Sequence, residues 1–160
     1  MANPVVVALK EGDPAPDFRL ETDRAEPFQL SSLRGRSVVL YFYPRADTPG
    51  CTTEACEFRD SAKEFSKHDA VIIGISPDAI HAQSKFKSKY GLPFTLVCDV
   101  DKAVAQAYGV CHEKPMYGRT VLGVERTTFL IGKDGAIKRV FSKVKPHGHS
   151  GEVLEALSAL

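Results

Sequence analysis

The sequence predicts an α/β fold, in which a mixed central sheet is flanked by helices and extended by an N-terminal hairpin. Three observations support this prediction: continuous apolar runs, segments between them in which apolar residues recur at helical spacing, and an Asp-Gly turn late in the chain. Continuous apolar runs are typical of strands covered on both faces, and their alternation with helices favours parallel pairing. At 160 residues, the chain is expected to form a single domain over residues 1–160.

The first part of the chain predicts short extended pieces and one buried strand. Residues 1–36 are rich in proline, glycine and charge, and the pieces Phe18–Leu20 and Phe28–Leu30 predict a hairpin on the domain edge. Ser37–Tyr43 is a β-branched and aromatic run that predicts a buried strand. Residues 44–50 follow as a predicted loop, because two prolines and a glycine resist regular structure there.

A helix is predicted to begin near Cys51. Apolar side chains recur at helical spacing through Ala55, Phe58, Ala62 and Phe65, and Cys51 lies on the same stripe. This pattern places Cys51 in the first turn of a helix that directly follows a strand and a loop.

The middle of the chain repeats the alternation of strand and helix. Val71–Ile75 predicts a second buried strand, and Ala79–Tyr90 predicts a helix that Gly91 and Pro93 terminate. Phe94–Cys98 is a third extended run.

The last part of the chain predicts two helices and a hairpin. A short helix follows with Asp101 as its expected N-cap and Gly109 just past its end. Thr127–Ile131 and Ile137–Phe141 predict antiparallel strands joined at Asp134-Gly135. The final helix is predicted from about Gly151 to Leu160, with four side chains facing inward: Val153, Leu154, Leu157 and Leu160. This order of elements is compatible with a thioredoxin-like fold.

Charge and hydropathy exclude several function classes. The net charge is +1 and the basic residues are scattered among acidic ones, so a nucleic-acid partner is not expected. The apolar run Val5–Leu9 is too short to span a bilayer, and it lacks the basic start and cleavage site of a signal peptide. We therefore expect a cytoplasmic protein without a membrane partner.

Four cysteines stand at positions 51, 56, 98 and 111. They are too sparse for a disulfide framework and do not form the paired clusters of a structural zinc site. The close pair Cys51 and Cys56 favours redox chemistry. His147 and His149, with His112 beside Cys111, match no metal-ligand spacing, so no metal is expected and these histidines are predicted to be flexible surface residues.

Cys51 has the position of a reactive thiol, although a cysteine at any given position is more often an inert apolar side chain. A helix N-terminus offers free N–H groups and a partial positive charge, and both favour a thiolate. The same N–H groups can donate to a peroxide oxygen as it gains negative charge. The prolines at 44 and 49 restrict the loop, and Gly50 lets other groups approach the backbone.

The segment Pro-Arg-Ala-Asp-Thr-Pro-Gly-Cys, residues 44–51, resembles the PxxxTxxC signature of peroxiredoxins. Its continuation Cys-Thr-Thr-Glu-Ala-Cys-Glu-Phe-Arg-Asp is similar to the peroxiredoxin Q group, also called bacterioferritin comigratory proteins. Further similarity lies in EGDPAPDF, LRGRSVVLYFYP, the Asp-Val-Asp segment and ERTTFLIGKDGAI, which together extend over nearly the whole chain. The resemblance implies a thioredoxin-like fold and reduction of peroxide through Cys51.

The resemblance also implies the roles of four further residues. Pro44 would shield the Cys51 thiolate, and Thr48 would hydrogen-bond the thiolate or the peroxide. Arg126 would approach from a later strand to hold Cys51 ionised and orient the peroxide, and Glu54 would orient Arg126. From the residues alone, Arg126 is equally a solvated charge at a strand end, and Glu54 a favourable charge in a first helical turn.

Within the resemblance, Cys56 is the resolving cysteine, because many peroxiredoxin Q proteins carry that cysteine at this spacing. Others place it on the following helix, here Ala79–Tyr90, which has no cysteine. In a continuous helix, Cα atoms five residues apart are separated by roughly 8–9 Å. A disulfide needs Cα atoms within about 7 Å, so the start of the helix must unwind for a link from Cys51 to Cys56. Cys98 is expected to be a buried core thiol, and Cys111 to follow Gly109 in a turn near the surface.

The resemblance implies hydrogen peroxide and small organic hydroperoxides as substrates and thioredoxin or a similar dithiol protein as reductant. It implies no cofactor, because the electrons reside on sulfur, and the chain is expected to be a monomer. Two alternatives stay open. One is a thiol–disulfide oxidoreductase, which usually has a CxxC spacing, and the other is a peroxide sensor or holdase that exposes a surface when the helix unwinds.

Overall fold

The computed structural model of the chain describes residues 9–160, with the side chains of Lys114 and Met116 excepted. The strands are β1 (Arg19–Thr22), β2 (Pro27–Gln29), β3 (Ser37–Phe42), β4 (Ala70–Ser76), β5 (Thr95–Cys98), β6 (Cys111–Met116), β7 (Arg119–Val124), β8 (Thr127–Ile131) and β9 (Ile137–Phe141). The helices are α1 (Pro49–Asp60), α2 (Ala62–Lys67), α3 (Ile80–Tyr90), α4 (Ala103–Ala107) and α5 (His149–Ser158), with a 3-10 turn at Leu30–Leu33. Apart from Leu9, the run Val5–Leu9 lies outside the described residues.

A seven-stranded mixed sheet forms the centre of the fold, in the order β2-β1-β5-β4-β3-β8-β9. Strands β3, β4 and β5 pair in parallel, whereas β8 and β9 add antiparallel strands beside β3. The β1–β2 hairpin extends the other edge. The predicted α/β architecture with an N-terminal hairpin is confirmed.

Strand β3 is buried along its whole length, and its side chains alternate between two cores. Val39 and Tyr41 face the core that contains residues of α1, α2, α3 and α5. Leu40 and Phe42 face the second core, which contains residues of α4 and of the 3-10 turn. The continuous apolar run in the sequence therefore reflects a central strand with helices on both faces.

The predicted long helix after Cys51 is divided in two. Helix α1 begins at Pro49, because proline has the φ angle of a first helical residue and needs no N–H acceptor there. The chain leaves helical geometry at Ser61, with φ −100° and ψ 4°. This bend lets Phe58 of α1 and Phe65 of α2 pack against each other in one core, with ring centroids 5.7 Å apart.

The hairpin of β6 and β7 was not predicted from the sequence. It forms a separate two-stranded sheet, and its strands carry mixed polar and apolar residues including Pro115, which hides the strand pattern. Cys111 is the first residue of β6 and is half-buried, so the prediction of a turn at this position was wrong.

Two predicted helix ends were also displaced. Lys102, with a left-handed backbone, is the N-cap of α4, and the carboxylate of Asp99 accepts hydrogen bonds from the N–H groups of Val104 and Ala105. Within residues 9–160, the Asp101 carboxylate accepts a hydrogen bond from the N–H of Ala103 alone. At the C-terminus, α5 ends at Ser158, so Leu160 lies outside the helix and is exposed.

None of the helices within residues 9–160 is long and apolar enough to cross a bilayer.

Candidate active site

The site is built where β3 leads through a short loop into α1. Thr48 caps the helix in extended geometry, and its carbonyl accepts the N–H of Thr52 at 2.8 Å. Pro49, Gly50 and Cys51 form the first turn, in which N–H groups have no acceptor within the helix. Cys51 is buried, so its thiol meets the positive end of the helix away from bulk water.

Two carboxylates fix the loop that precedes α1. Asp78, which follows β4, accepts the N–H of Ala46 at 2.7 Å. Asp47 accepts Lys89 Nζ at 2.9 Å and the hydroxyl of Tyr90 at 2.8 Å, and the hydrogen bond from Lys89 contributes most to the lowered pKa of Asp47. The loop is therefore fastened at β4 and at the end of α3.

Arg126 reaches Cys51 because of the sheet topology. It lies in the two-residue link between β7 and β8, and Thr127 at the start of β8 pairs with Phe42 at the end of β3. The link is thus placed beside the loop that follows β3. Arg126 Nη2 lies 3.3 Å from Cys51 Sγ, so residues 75 positions apart form a contact.

The other arm of the Arg126 guanidinium binds Glu54. Arg126 Nη1 donates to Glu54 Oε1 at 2.8 Å. Glu54 lies three residues after Cys51 on α1, so both side chains point from the same face of the helix towards Arg126. The Glu54 side chain is fully buried, and that of Arg126 is 15% exposed.

Gly50 makes this arrangement possible. A Cβ atom at position 50 would lie 2.9 Å from Arg126 Nη2 and 3.3 Å from Pro146 Cγ. A larger residue would push the guanidinium away from Cys51. The close approach that the sequence indicated at this glycine is therefore the approach of Arg126.

The electrostatics of the site follow from burial. Burial raises the pKa of Glu54 to about 7, although Arg126 acts in the opposite direction. For Arg126, burial disfavours the cation, but the neighbouring Cys51 and Glu54 more than compensate and raise its pKa. Arg126 is therefore a permanent cation beside two acidic side chains.

Tyr41 of β3 lies in the same core cluster as Cys51, and the sequence reasoning did not single it out. Its ring packs against Phe58, and its hydroxyl has no hydrogen-bond partner among the described residues. Burial raises the pKa of Tyr41 well above its ordinary value, so the phenol stays neutral. An apolar strand pattern gives no signal for such a position.

Two of the predicted site residues, Pro44 and Thr48, lie in the loop between β3 and α1. Pro44 lines a shallow groove together with Arg126, Lys143 and residues of the β6–β7 hairpin. Thr48 is half-buried, and its hydroxyl donates to the carbonyl of Arg45 at 2.8 Å rather than to the thiol.

Cys56 lies on the same continuous helix as Cys51 and is half-buried. Both are free thiols in this structure. Because α1 is unbroken from Pro49 to Asp60, the two Cα atoms are separated by roughly 8–9 Å, which is beyond disulfide range.

Two anchor contacts hold α1 beyond Cys56. Glu57 Oε1 accepts the N–H of Gly148 at 2.8 Å, which attaches α1 to the start of α5. Arg59 Nη1 donates to the carbonyl of Tyr90 at 2.8 Å, which attaches α1 to the end of α3. Neither contact had a signal in the sequence, because both join polar helix positions to distant backbone groups.

The other two cysteines lie outside the site. Cys98 is buried at the end of β5, as predicted, and burial raises its pKa to about 11. Burial also raises the pKa of Cys111. Neither thiol is favoured as an anion.

The histidines have separate partners. His112 lies 3.1 Å from Glu125, and the exposed His147 lies 3.1 Å from Glu57. His149 is buried against Phe58, and its Nε2 is 2.8 Å from the Thr128 hydroxyl, so its prediction as a surface residue was wrong. The helix α5 begins two residues earlier than predicted, and this places His149 in the core.

Residues 11–140 match the model of the AhpC/TSA family. Among curated proteins, the chain is 48% identical over 151 residues to a putative peroxiredoxin bcp of Coxiella burnetii, which covers 94% of this chain and all of that protein. It is 46% identical to peroxiredoxin Bcp of Bacillus subtilis, with 94% of this chain and 96% of that protein covered.

Solved structures of similar proteins superpose on this chain over most of its length. The bacterioferritin comigratory protein of Xanthomonas campestris, studied for its alkyl peroxide reduction activity, superposes with a TM-score of 0.85 at 41% identity, covering 89% of this chain and 90% of that one. A mutant of the Xylella fastidiosa PrxQ superposes with a TM-score of 0.89 at 36% identity, covering 96% and 98%. The thioredoxin-like peroxiredoxin fold that the sequence resemblance implied is confirmed.

Proposed function

We propose that this chain, which belongs to the AhpC/TSA family and is a thiol-dependent peroxidase, attacks peroxides with Cys51 and resolves the product with Cys56. The observation that carries the proposal is the contact of 3.3 Å between Arg126 Nη2 and Cys51 Sγ in a buried first helical turn. A fixed guanidinium and a helix N-terminus at one sulfur favour the nucleophilic thiolate.

In the proposed first step, the Cys51 thiolate attacks one peroxide oxygen. A sulfur–oxygen bond forms, the oxygen–oxygen bond breaks, and the leaving oxygen departs with the electron pair as hydroxide or alkoxide. Arg126 and the free N–H groups of the first turn stabilise the negative charge that develops on the peroxide. Pro44 shields the sulfur from solvent, and Thr48 turns its hydroxyl from Arg45 to the bound peroxide.

In the second proposed step, Cys56 attacks the Cys51 sulfenic acid, and a disulfide forms with release of water. The unbroken helix prevents this reaction until its first two turns unwind. Both anchor contacts, at Glu57 and Arg59, lie after Cys56. Unwinding can therefore stay within residues 49–56 while the rest of α1 remains attached, which supports Cys56 as the resolving residue.

Hydrogen peroxide and small organic hydroperoxides are the proposed substrates. The groove beside the site is lined by Pro44, Val124, Val144 and Arg126 together with charged residues, and it is open to solvent. Its apolar lining supports binding of a short alkyl group next to the sulfur, and the related Xanthomonas protein is described as reducing alkyl peroxides.

The family implies a peroxide substrate and a thioredoxin-type reductant for this chain. We propose that a dithiol protein such as thioredoxin reduces the Cys51–Cys56 disulfide, which the unwound first turns expose. We also propose that the protein acts as a monomer in the cytoplasm, where such donors keep thiols reduced, and needs neither a membrane nor a nucleic acid.

Mass spectrometry of the reduced protein after one equivalent of hydrogen peroxide tests the proposal. Prompt loss of two hydrogens, mapped to a Cys51–Cys56 link in non-reduced peptides, is the expected result. A stable added oxygen on Cys51 would remove Cys56 from the mechanism, and a link to Cys98 or Cys111 would assign another resolving residue.

Cys51→Ser should abolish peroxide consumption, whereas Cys56→Ser should keep a single turnover. Full activity in Cys51→Ser would refute the role of Cys51.

A further inference from the structure

The site places two buried acids on one cation. Arg126 Nη2 contacts Cys51 Sγ at 3.3 Å, and Arg126 Nη1 binds Glu54 Oε1 at 2.8 Å. Cys51 and Glu54 are each only 1% exposed. If both acids were ionised, the site would hold one uncompensated negative charge out of contact with water.

Such a charge is expensive to bury. The effective cost of an unpaired ion in a protein interior is several kcal/mol, even after the surroundings relax. Glu54 Oε2 is buried and has no hydrogen-bond partner among the described residues, so one half of this carboxylate has nothing to stabilise an anion. A single proton shared between the two acids removes the excess charge.

We propose that Glu54 holds this proton while Cys51 is a thiolate and gives it up when the negative charge leaves the sulfur. This inference rests on the proposed role of Cys51 as the nucleophile. It assigns Glu54 more than the orientation of Arg126, because the carboxyl group then alternates between a neutral and a charged form during each turnover.

The charge and the proton balance in this sequence. Before attack, the site contains the Cys51 thiolate, the Arg126 cation and neutral Glu54. The thiolate takes the terminal oxygen of the peroxide with its hydrogen, sulfur loses two electrons, and the O–O bond breaks to leave an alkoxide. The alkoxide takes up the proton that Glu54 releases and becomes an alcohol, or water when the substrate is hydrogen peroxide. Arg126 then has Glu54 as its single anionic partner.

The other groups around Glu54 agree with this assignment. Burial raises the pKa of Glu54 to about 7, against the effect of Arg126, and Glu57 on the next turn of α1 adds to the rise. Tyr41 from β3 has a pKa raised well above its ordinary value by burial, and Tyr43 likewise, so neither phenol offers a competing proton near neutral pH. From α5, His149 has a pKa lowered by burial, so it adds no cation to Arg126 near neutral pH.

Infrared difference spectroscopy tests the proposal directly. The test protein is the full chain with Cys56→Ser, Cys98→Ser and Cys111→Ser, in which one equivalent of hydrogen peroxide converts Cys51 to its sulfenic acid and no second thiol can form a disulfide. The reduced protein near neutral pH should show the C=O stretch of a buried protonated carboxyl group, and this band should weaken on oxidation. Glu54→Gln should remove the band, and Glu125→Gln should keep it. Glu125 is the matched control, because it precedes Arg126 but contacts His112.

A second variant tests the proposal without any change at Glu54. Cys51→Ser removes the thiolate but leaves Glu54 buried, so its carboxyl band near neutral pH should be clearly weaker than in the otherwise identical protein. A reduced parent without the band, or a band of unchanged intensity after complete oxidation or in Cys51→Ser, would overturn the proposal. Mass spectrometry of the same samples distinguishes failure of the Glu54 proposal from failure of the proposed function. Absence of an added oxygen on Cys51 would refute its role as nucleophile, and the proposal of a proton shared with Glu54 would then fail as well.

Discussion

The carboxylate of Glu57 accepts the backbone N–H of Gly148 at 2.8 Å and thereby attaches the middle of α1 to the N-terminus of α5. This contact lies one residue beyond Cys56. It therefore divides α1 into residues 49–56, which contain both cysteines and contact Arg126 through Cys51 and Glu54, and a segment after Cys56 that Glu57 and Arg59 attach to α5 and to the end of α3. The division predicts different effects of substitutions on its two sides.

In the segment of α1 after Cys56, Glu57→Ala should lower the free energy of unfolding without changing the rate of disulfide formation. Loss of a hydrogen bond to a charged acceptor that is partly exposed costs about 1 kcal/mol. The disulfide rate should stay within about two-fold, because the contact is present both before and after residues 49–56 unwind. Urea unfolding and rapid-quench mass spectrometry measure the two quantities. A much faster disulfide step would show that unwinding extends past Glu57.

Within residues 49–56, the segment that must unwind, the side chain of Thr53 is exposed. Alanine and glycine at such a position differ by roughly 0.8–1.0 kcal/mol in helix stability. Thr53→Gly should therefore form the Cys51–Cys56 disulfide about five-fold faster than Thr53→Ala, if unwinding precedes the reaction as a rapid equilibrium.

The comparison at position 53 is read by rapid quench with a thiol-blocking reagent after one equivalent of hydrogen peroxide. The rate of Cys51 oxidation serves as the internal control, because it should be similar in both variants. Equal disulfide rates in Thr53→Gly and Thr53→Ala would mean that another step limits resolution.

Arg126→Ala should slow the oxidation of Cys51 by about 100-fold, since loss of one fixed donor at a developing anion costs on the order of 100- to 1,000-fold. Arg126→Lys should be intermediate, because lysine keeps the charge but cannot bind Cys51 and Glu54 with one rigid fork. Arg139→Ala is the control, as this arginine lies at the surface near Glu11. The measurement is competition for hydrogen peroxide against a reference peroxidase. An unchanged rate in Arg126→Ala would place Arg126 outside the mechanism.

The sequence was sufficient to predict the central part of the fold. Buried strands such as β3 and β4 appear as apolar runs, and the Asp134-Gly135 turn marked the β8–β9 hairpin correctly. The predictions failed where the pattern of apolar residues is weak. The strands of the β6–β7 hairpin mix polar and apolar residues and so resemble a loop in the sequence. The break at Ser61 has no local signal, because it follows from packing of Phe58 and Phe65 in one core.

The site could be predicted only in part for a similar reason. The position of Cys51 at a helix start follows from local patterns, whereas its contact with Arg126 depends on the pairing of β8 with β3. The residues alone could not reveal that pairing, and only the family resemblance indicated that Arg126 approaches Cys51. Contacts of Glu57 and Tyr41 had no signal of either kind, because they depend on how α1 packs against α5 and β3.

The buried Glu54 also predicts how stability depends on pH. Its pKa rises from 4.5 to about 7 in the folded protein, chiefly through burial. A carboxyl group with a raised folded-state pKa stabilises the fold below its unfolded pKa, and this contribution is lost as pH rises through the folded value. The free energy of unfolding should therefore fall between about pH 4.5 and pH 7 by at most about 3 kcal/mol from this group. Glu54→Gln isolates the effect, because glutamine keeps an oxygen acceptor for Arg126 and does not titrate.

Urea unfolding of the reduced parent and of Glu54→Gln across this pH range provides the measurement. The stability of the parent relative to Glu54→Gln should decrease as pH increases, because only the parent loses a proton from a site that disfavours the anion. Other titrating groups cancel in the difference between the two proteins. A difference that is constant with pH, or that changes in the opposite direction, would mean that Arg126 compensates the Glu54 carboxylate fully and that the folded protein buries it as an ordinary ion pair.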